Sequence, residues 1–334
     1  MNFMVVGLGS MGKRRVRLLK RYIDTEVPEI EKGKWSICGV DSNGDRCDEV
    51  RKLYAIHTYD SVSRAADSFG ADAAVISTAP LSHSSIIEDC LNRDMHVFSE
   101  INLVDDGYED NIHLASKRGK TLFLSSTPIY RREMKYIIDE AHERGFKGTY
   151  RYHIGQYLPE WHPWESYKDF FVGDKQTNGC REIFSIELPW LTRAYGKVIG
   201  CASFHSKTTD LDIEYDDTFQ VILKHDTGVT GSLTVDVSTP KTERAFSAWE
   251  EGYYLEWNGT PDSFIKMDTS TGKLFGVYLY DDIEHVEGYN NFVVENAYYD
   301  ELKSYISCLC EGKKPEYSFE EDMTVLRTVD EIMK

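Results

Sequence analysis

No apolar stretch in this 334-residue chain approaches the ~20 residues of a membrane span. No membrane segment is therefore expected. Cysteine offers no framework either. The seven cysteines (Cys38, Cys47, Cys90, Cys180, Cys201, Cys308 and Cys310) are dispersed, odd in number and without a C-x-x-C pair. That spacing argues against a disulfide scaffold or a zinc ribbon, and fits reduced, mostly buried thiols in a cytoplasmic protein. No cluster has metal-ligand spacing, so no metal is expected. Basic residues are in deficit: 38 Lys and Arg against 56 Asp and Glu leave a net charge of −18. Such a chain repels nucleic-acid phosphates and anionic membranes, so neither is an expected partner. There is no internal repeat, no low-complexity tract and no basic n-region followed by an apolar h-region, which predicts no secretory signal. The length suffices for two domains with a large core, and 41% hydrophobic residues is ordinary for a globular chain.

What is present starts at once. Phe3-Met4-Val5-Val6 is an apolar run entering Gly7-Leu8-Gly9-Ser10-Met11-Gly12, which is G-x-G-x-x-G, followed by a helix-like stretch. Gly7 permits the tight turn out of a strand. Gly9 lets backbone approach a pyrophosphate, and Gly12 lets the helix pack on the strand. The helix then aims its free N–H groups and positive dipole end at the phosphates, with Ser10 and Met11 in that first turn. A plain strand-to-helix turn is the alternative; the position in a first βαβ unit favours a dinucleotide. Trp35-Ser36-Ile37-Cys38-Gly39-Val40-Asp41 reads as the second strand, ending in a carboxylate for the ribose hydroxyls. Asp41 stands 29 residues after Gly12, where about 20 is usual. The polar segment Asp24–Lys34, with Pro28 and Gly33, reads as an inserted loop. Asp41 favours NAD, with NADP as the alternative because Arg46 is near. A turn at Asp41-Ser42-Asn43-Gly44 is the structural reading of the same residue.

Apolar runs alternate with amphipathic stretches up to about Ser125, which predicts a doubly wound parallel sheet. Ligands sit at the carboxyl ends of such strands. This makes Thr78, Ala79, Pro80, His83, Glu100 and Asn102 candidate cofactor residues. Beyond a helix at Arg132–Arg144 the pattern changes to half-exposed alternation at 149–156, 197–206, 217–225, 229–237, 253–257 and 273–280. Helices are expected at 184–195 and 296–310. The fold class is therefore α/β: an N-terminal Rossmann domain, residues 1–125, then an α+β domain, residues 126–334, with a large open, mostly antiparallel sheet.

The order and spacing of several segments resemble the family named after glucose–fructose oxidoreductase, inositol dehydrogenase and MocA. They are the glycine motif; Asp72-Ala73-Ala74-Val75-Ile76-Ser77-Thr78-Ala79-Pro80 with His83; His96-Val97-Phe98-Ser99-Glu100; the Gly179 helix start; and the tail from Tyr299 to Asp322. The resemblance covers nearly the whole chain. It implies an NAD(P)-dependent oxidoreductase acting on CH–OH groups of sugars or polyols. It also implies dimers or tetramers through the open sheet, a substrate pocket between that sheet and the nicotinamide, and His83 near the nicotinamide ribose, with a helix-cap role as its alternative. The chain is atypical. The family's Glu-Lys-Pro reads Glu100-Ile101-Asn102, and Ile101 cannot handle a proton. The family's Asp and His four residues apart fall on Ile183 and Glu187.

Glu187 is thus a candidate base, with an ion pair to an arginine such as Arg131 or Arg181 as the equal alternative. The loop Trp161-His162-Pro163-Trp164 reads as a substrate wall with His162 as proton donor, or as an aromatic packing cluster. Arg131, Gln156, Trp161, Trp164, Arg181 and Glu182 are candidate substrate residues, and His153 lies near the same strand end as Gln156. The expected function is hydride transfer to or from a carbinol carbon of a sugar-like small molecule. The rivals are a dinucleotide-binding sensor or subunit without turnover, and a lyase or hydrolase that recycles its NAD.

Overall fold

Phe3, Met4, Val5 and Val6 of β1 (Asn2–Val6) are all 4% exposed or less, as a strand covered on both faces requires. The computed structural model describes residues 1–161, 166–285 and 292–334. β1 lies in a parallel sheet with β2 (Ser36–Val40), β3 (His57–Tyr59), β4 (Ala73–Ile76), β5 (His96–Ser99) and β6 (Leu122–Leu124), in the order β3-β2-β1-β4-β5-β6. Helices α1 (Ser10–Thr25), α2 (Glu29–Lys32), α3 (Gly44–Tyr54), α4 (Val62–Phe69), α5 (His83–Asn92) and α6 (Tyr108–Arg118) connect the strands. The strand order reverses between β1 and β4, so the crevice at their carboxyl ends is the topological switch point.

The second sheet takes its strands from the other half of the chain. After α7 (Arg132–Arg144) come β7 (Thr149–Gly155), α8 (Gly179–Tyr195), β8 (Val198–Ser206), β9 (Thr218–His225), β10 (Thr230–Asp236), β11 (Glu243–Glu250), β12 (Tyr253–Trp257), β13 (Ile265–Asp268) and β14 (Lys273–Gly276). The order is β14-β13-β12-β11-β7-β10-β9-β8, antiparallel except for the β7–β10 pair. Along β9, Phe219, Val221, Leu223 and His225 are buried while Gln220, Ile222 and Lys224 are exposed. One face of the sheet therefore packs, in part on α8 through Phe184–Phe219 and Tyr152–Trp190 ring contacts. The other face is open.

The compact units are residues 1–126 with 298–323, and 127–297 with 324–334. A division into contiguous stretches at residue 125 therefore misplaces residues 298–323. Most of α9 (Glu295–Glu311) and the start of α10 (Phe319–Ile332) pack in the first unit. Tyr305 stands edge-on to Phe98 and Phe123, both at 5.4 Å, and Phe319 meets Tyr108 at 4.7 Å.

Several boundaries differ from expectation. The segment 24–34 is largely helical: α1 runs to Thr25, and Pro28 precedes the short α2. α8 starts at Gly179, not at 184, because Asn178 caps it, its Oδ1 accepting from Arg181 N at 2.8 Å. The last strand ends at Gly276. β11 was not foreseen because its burial pattern does not alternate. α10 carried a readable start signal: Ser318 and Glu321 form a capping box, with Ser318 N to Glu321 Oε2 at 2.9 Å and Glu321 N to Ser318 Oγ at 3.2 Å.

Candidate active site

The first unit's candidate site is built by backbone at the switch point. Gly7 has φ +88°, and a Cβ there would lie 2.6 Å from the Ser77 carbonyl oxygen at the end of β4. A Cβ on Gly12 would lie 1.8 Å from the Gly7 carbonyl oxygen, so α1 leaves the strand with no room for a side chain. Gly9 is different. A Cβ there would meet nothing closer than Arg46 Nη1 at 3.9 Å, which leaves open space over the start of α1. Gly9 is also the N-cap, so no side chain caps the helix, and its first turn holds no acidic residue. Uncapped N–H groups, a positive dipole end and open space suit a pyrophosphate.

Asp41 closes one side of this turn. Its Oδ2 accepts from Leu8 N at 2.7 Å and its Oδ1 from Asn43 N at 2.8 Å. Asp41 starts the turn into α3, as its structural reading has it, and it also braces the glycine loop. Each oxygen keeps a second lone pair for a hydroxyl donor. Arg46 Nη1 lies 3.8 Å from Oδ2, and the Arg46 side chain is half exposed.

The residues after β4 and β5 divide. Ala79 is exposed and Thr78 half-exposed, whereas Pro80, at the start of a short turn, is buried. His83 is 1% exposed, with Nε2 2.9 Å from the Thr78 carbonyl and Nδ1 2.6 Å from the Asn102 amide. Burial pushes the His83 pKa down, which keeps the ring neutral with one N–H. Nε2–H then donates to Thr78 and Nδ1 accepts. The Asn102 amide must therefore turn its NH2 to Nδ1, which also gives the otherwise unpartnered Asn102 Nδ2 a partner. His83 and Asn102 hold the Thr78 carbonyl in place, and both ring nitrogens of His83 are taken. Glu100 is a correction. Its side chain is taken by Arg15, Nε to Oε1 at 2.5 Å and Nη2 to Oε2 at 3.1 Å, so it braces α1 instead of reaching a ligand.

Against Tyr108 of α6, the first turn of α10 adds a buried acid that the sequence reading missed. Asp322, 1% exposed, accepts from Tyr108 Oη at 2.6 Å and Tyr317 Oη at 2.8 Å. Burial outweighs these two bonds and pushes its pKa up to about 7. A carboxyl raised in the folded state contributes stability that is complete below its ordinary pKa, about 4, and is lost as pH rises through about 7. Replacing Asp322→Asn should thus raise stability relative to wild type as pH climbs from 4.5 to 7.5. Urea midpoints of both proteins at the two pH values measure this, and a constant difference between them rules the shift out.

In the second unit the candidate groups are mostly occupied. Glu187, fully buried, has Arg244 Nη2 2.6 Å from Oε1, and Oε2 accepts from Tyr152 Oη at 2.9 Å and Trp190 Nε1 at 2.7 Å. The ion-pair alternative has its arginine, but it is Arg244 and neither Arg131 nor Arg181. Arg131 cannot offer its fork to a substrate carboxylate. Its Nη2 and Nε hold Glu133 Oε1 and Oε2 at 2.7 and 3.3 Å, and its other bonds go to the Gly259 and Phe292 carbonyls. Arg181 turns to Asp330, Nη2 to Oδ1 at 2.7 Å. Trp161 donates from Nε1 to the Gln156 carbonyl at 3.1 Å and packs near Gly179, so it joins loop to helix. His153 Nε2 pairs with Asp236 Oδ2 at 2.7 Å. Glu182 has neither a hydrogen bond nor an ion pair from its side chain. His162 and Trp164 lie outside the described residues. Among those described, no three His, Cys, Asp or Glu side chains form a metal-ligand group, and no helix is long and apolar enough to cross a membrane.

Residues 1–125 match the profile of a family described as oxidoreductases with an NAD-binding Rossmann fold. No curated protein matches the chain. Among solved structures, an oxidoreductase from Agrobacterium radiobacter in complex with NAD+, L-tartaric acid and magnesium is similar with a TM-score of 0.81 and 12% identity, covering 99% of this chain and 94% of that one. The WlbA dehydrogenase from Bordetella pertussis, in complex with NADH and UDP-GlcNAcA, gives 0.74 and 16%, covering 99% and 94%. Biliverdin reductase from Synechocystis sp. PCC 6803, in complex with biliverdin and NADP+, gives 0.76 and 14%, covering 99% and 97%. Identities this low show a shared fold. Residues 1–125 thus match the NAD-binding Rossmann domain of the oxidoreductase family of glucose–fructose oxidoreductase, inositol dehydrogenase and MocA.

Proposed function

We propose that this protein transfers a hydride between NAD or NADP and a carbinol carbon of a sugar-like, polyhydroxylated small molecule. The observation that carries the reading is the open space over Gly9 at an uncapped helix start. When bound, the dinucleotide supplies the hydride acceptor or donor. The N–H groups of the first turn of α1 hold its pyrophosphate, and Asp41 accepts from its ribose hydroxyls. The UDP-GlcNAcA of the Bordetella enzyme and the tartaric acid of the Agrobacterium enzyme favour a polyhydroxylated substrate. In this reading Glu187 positions Arg244 in the second unit. The open sheet face, where Phe204 is 77% and Ile222 54% exposed, takes a second copy of the chain.

A fluorescence titration with NADH tests the cofactor, and turnover over a panel of UDP-sugars and free polyols tests the chemistry. Absence of NADH binding sinks the reading. Binding without any turnover favours a sensor or subunit, for which Ile101 in place of a lysine is the motive. A lyase or hydrolase with transient oxidation of its substrate would instead convert substrate without net NADH formation.

Asp41 sets a further expectation. Its carboxylate repels a 2′-phosphate, so wild type binds NADH more tightly than NADPH. Asp41→Asn keeps an acceptor for Leu8 N but removes the charge beside Arg46. The NADPH-to-NADH ratio of Kd should fall by about tenfold, a change of about 1.4 kcal/mol. An unchanged ratio in paired titrations would show that Asp41 only braces the turn.

A further inference from the structure

A chain of buried polar groups joins the carboxyl ends of β4 and β5 to the first turn of α10, all within the first unit. Thr78 stands against the glycine turn, its Cγ2 2.9 Å from where a Cβ on Gly7 would lie. The Thr78 carbonyl meets His83 Nε2 at 2.9 Å, and His83 Nδ1 meets the Asn102 amide at 2.6 Å. The other end of that amide faces the Tyr108 hydroxyl, at longer range than a full hydrogen bond. Tyr108 Oη lies 2.6 Å from Asp322 Oδ2, and Tyr317 Oη lies 2.8 Å from Oδ1. A small cavity lined by Asn102, Tyr108, Ser84 and Val104 flanks the chain and leaves the amide room to turn.

We propose that Asp322 is a positioning residue for the dinucleotide: through Tyr108 and Asn102, its proton sets which nitrogen of His83 carries hydrogen, and so whether the Thr78 carbonyl is held. The inference rests on the dinucleotide-binding part of the reading above. Donors and acceptors alternate along such a chain, so its direction follows from one end. With Asp322 protonated, its O–H donates to Tyr108, and Tyr108 donates to Asn102 Oδ1. The Asn102 NH2 then donates to His83 Nδ1, and Nε2–H donates to Thr78. With Asp322 ionised, Tyr108 must donate to the carboxylate, as Tyr317 does. The Asn102 NH2 turns to Tyr108, and its Oδ1 accepts from Nδ1–H. His83 Nε2 is left facing the Thr78 carbonyl, lone pair against lone pair, at 2.9 Å. One proton has gone from Asp322 to water. The ring still carries one, on its other nitrogen.

The surroundings fit this exchange. Asp322 faces Tyr108, Tyr317 and the repulsion of Asp105 from the loop before α6, and burial brings its pKa up to about 7. Asp106 of the same loop lines the cavity. His83 has Glu100 as its charged neighbour and Ser99 Oγ 3.4 Å from Nδ1. Burial outweighs Glu100 and pushes the ring pKa down, so the ring changes tautomer and does not gain a second proton. Burial also pushes the Tyr108 pKa up, so that hydroxyl keeps its hydrogen. A carbonyl without its donor moves, and Thr78 moves with it against Gly7. NADH affinity should therefore be full below about pH 7 and fall as Asp322 ionises.

The experiment uses the full chain, as wild type and as Asp322→Asn, whose amide can donate to Tyr108 and accept from Tyr317 as the protonated acid does. Labelling histidine with 15N reads the tautomer of each ring without any ligand, and His83→Gln identifies the His83 signal. Wild-type His83 should carry hydrogen on Nε2 at pH 6 and on Nδ1 at pH 8.5, with a midpoint near 7. In Asp322→Asn it should stay on Nε2 throughout. NADH affinity, from fluorescence, should fall about tenfold over this range in wild type, an ordinary coupling between two sites, and stay level in Asp322→Asn. A purely structural Asp322 would change stability without moving the tautomer. A single His83 tautomer in wild type from pH 6 to 8.5, or an Asp322→Asn protein that titrates like wild type, overturns the proposal and leaves dinucleotide binding standing. Affinity that stays level while the tautomer switches overturns the part given to Thr78. Absence of NADH binding at every pH sinks the dinucleotide reading, and the positioning role with it.

Discussion

Gly12→Ala should weaken NADH binding at least a hundredfold, a loss of about 2.7 kcal/mol or more, and lower the melting temperature as well. The added Cβ would sit 1.8 Å from the Gly7 carbonyl oxygen. Both sides of that clash are backbone, so no rotamer change relieves it. Gly7 cannot retreat either. It is held at φ +88° with its N–H on the Val40 carbonyl at 2.8 Å, and its own Cβ position is filled by Ser77. α1 must therefore lift from β1, and its first-turn N–H groups lose their aim. Gly9→Ala is the informative contrast. Its Cβ meets nothing nearer than Arg46 Nη1 at 3.9 Å, so the fold should survive with an unchanged melting temperature. The methyl occupies the room that a pyrophosphate needs, so NADH affinity should still fall. A Gly9→Ala protein that binds NADH like wild type would show that the dinucleotide does not enter there.

This cradle was legible because it is local. Three glycines, an apolar strand before them and Asp41 after the second strand all lie within about forty residues of the N-terminus, and Gly7 and Gly12 each have a distinct steric reason while Gly9 faces open space. Pairings across long sequence separations were not legible. Glu187 could be recognised as needing a base role or an arginine, but its arginine, Arg244, arrives from β11, a strand without alternation. Arg131 reads like a substrate fork until Glu133, two residues away, is seen to fill it. Glu100 followed the motif to the cofactor, yet its partner is Arg15, 85 residues earlier. His83 was placed at the correct strand end, but a neutral ring with two buried partners works from behind, through the Thr78 carbonyl. Glu182 was singled out because it lies about one helical turn before Glu187. Only the structure shows that it lacks a partner.

The same long-range pairing explains why residues 298–323 join the first unit, and it yields the largest stability effect. Arg15 and Glu301 are both fully buried, with Arg15 Nη2 2.7 Å from Glu301 Oε2. Arg15 also holds Glu100 and lies 4.5 Å over the Phe98 ring. Glu301 Oε1 accepts from Ser125 Oγ at 3.0 Å and Ser126 N at 2.8 Å, which ties α9 to the end of β6. One guanidinium thus serves two buried carboxylates. Burial pushes the Glu301 pKa up, and Arg15 is the largest influence opposing it. Arg15→Met strands both acids. The expected loss is about 3–5 kcal/mol, the range for breaking a buried ion pair from one side. Adding Glu301→Gln to Arg15→Met should restore part of it, because one stranded charge disappears, so the two changes are not additive. The deficit also has a pH sign. Stranded carboxylates have raised pKa values, so stability is retained while they are protonated and lost as pH rises through them. Urea denaturation should therefore show a larger deficit for Arg15→Met at pH 7.5 than at pH 5. A deficit below about 1 kcal/mol at both pH values, or a double variant no more stable than Arg15→Met, would mean that packing around Phe98 and Tyr305, and not this charge network, holds α9 to the dinucleotide domain.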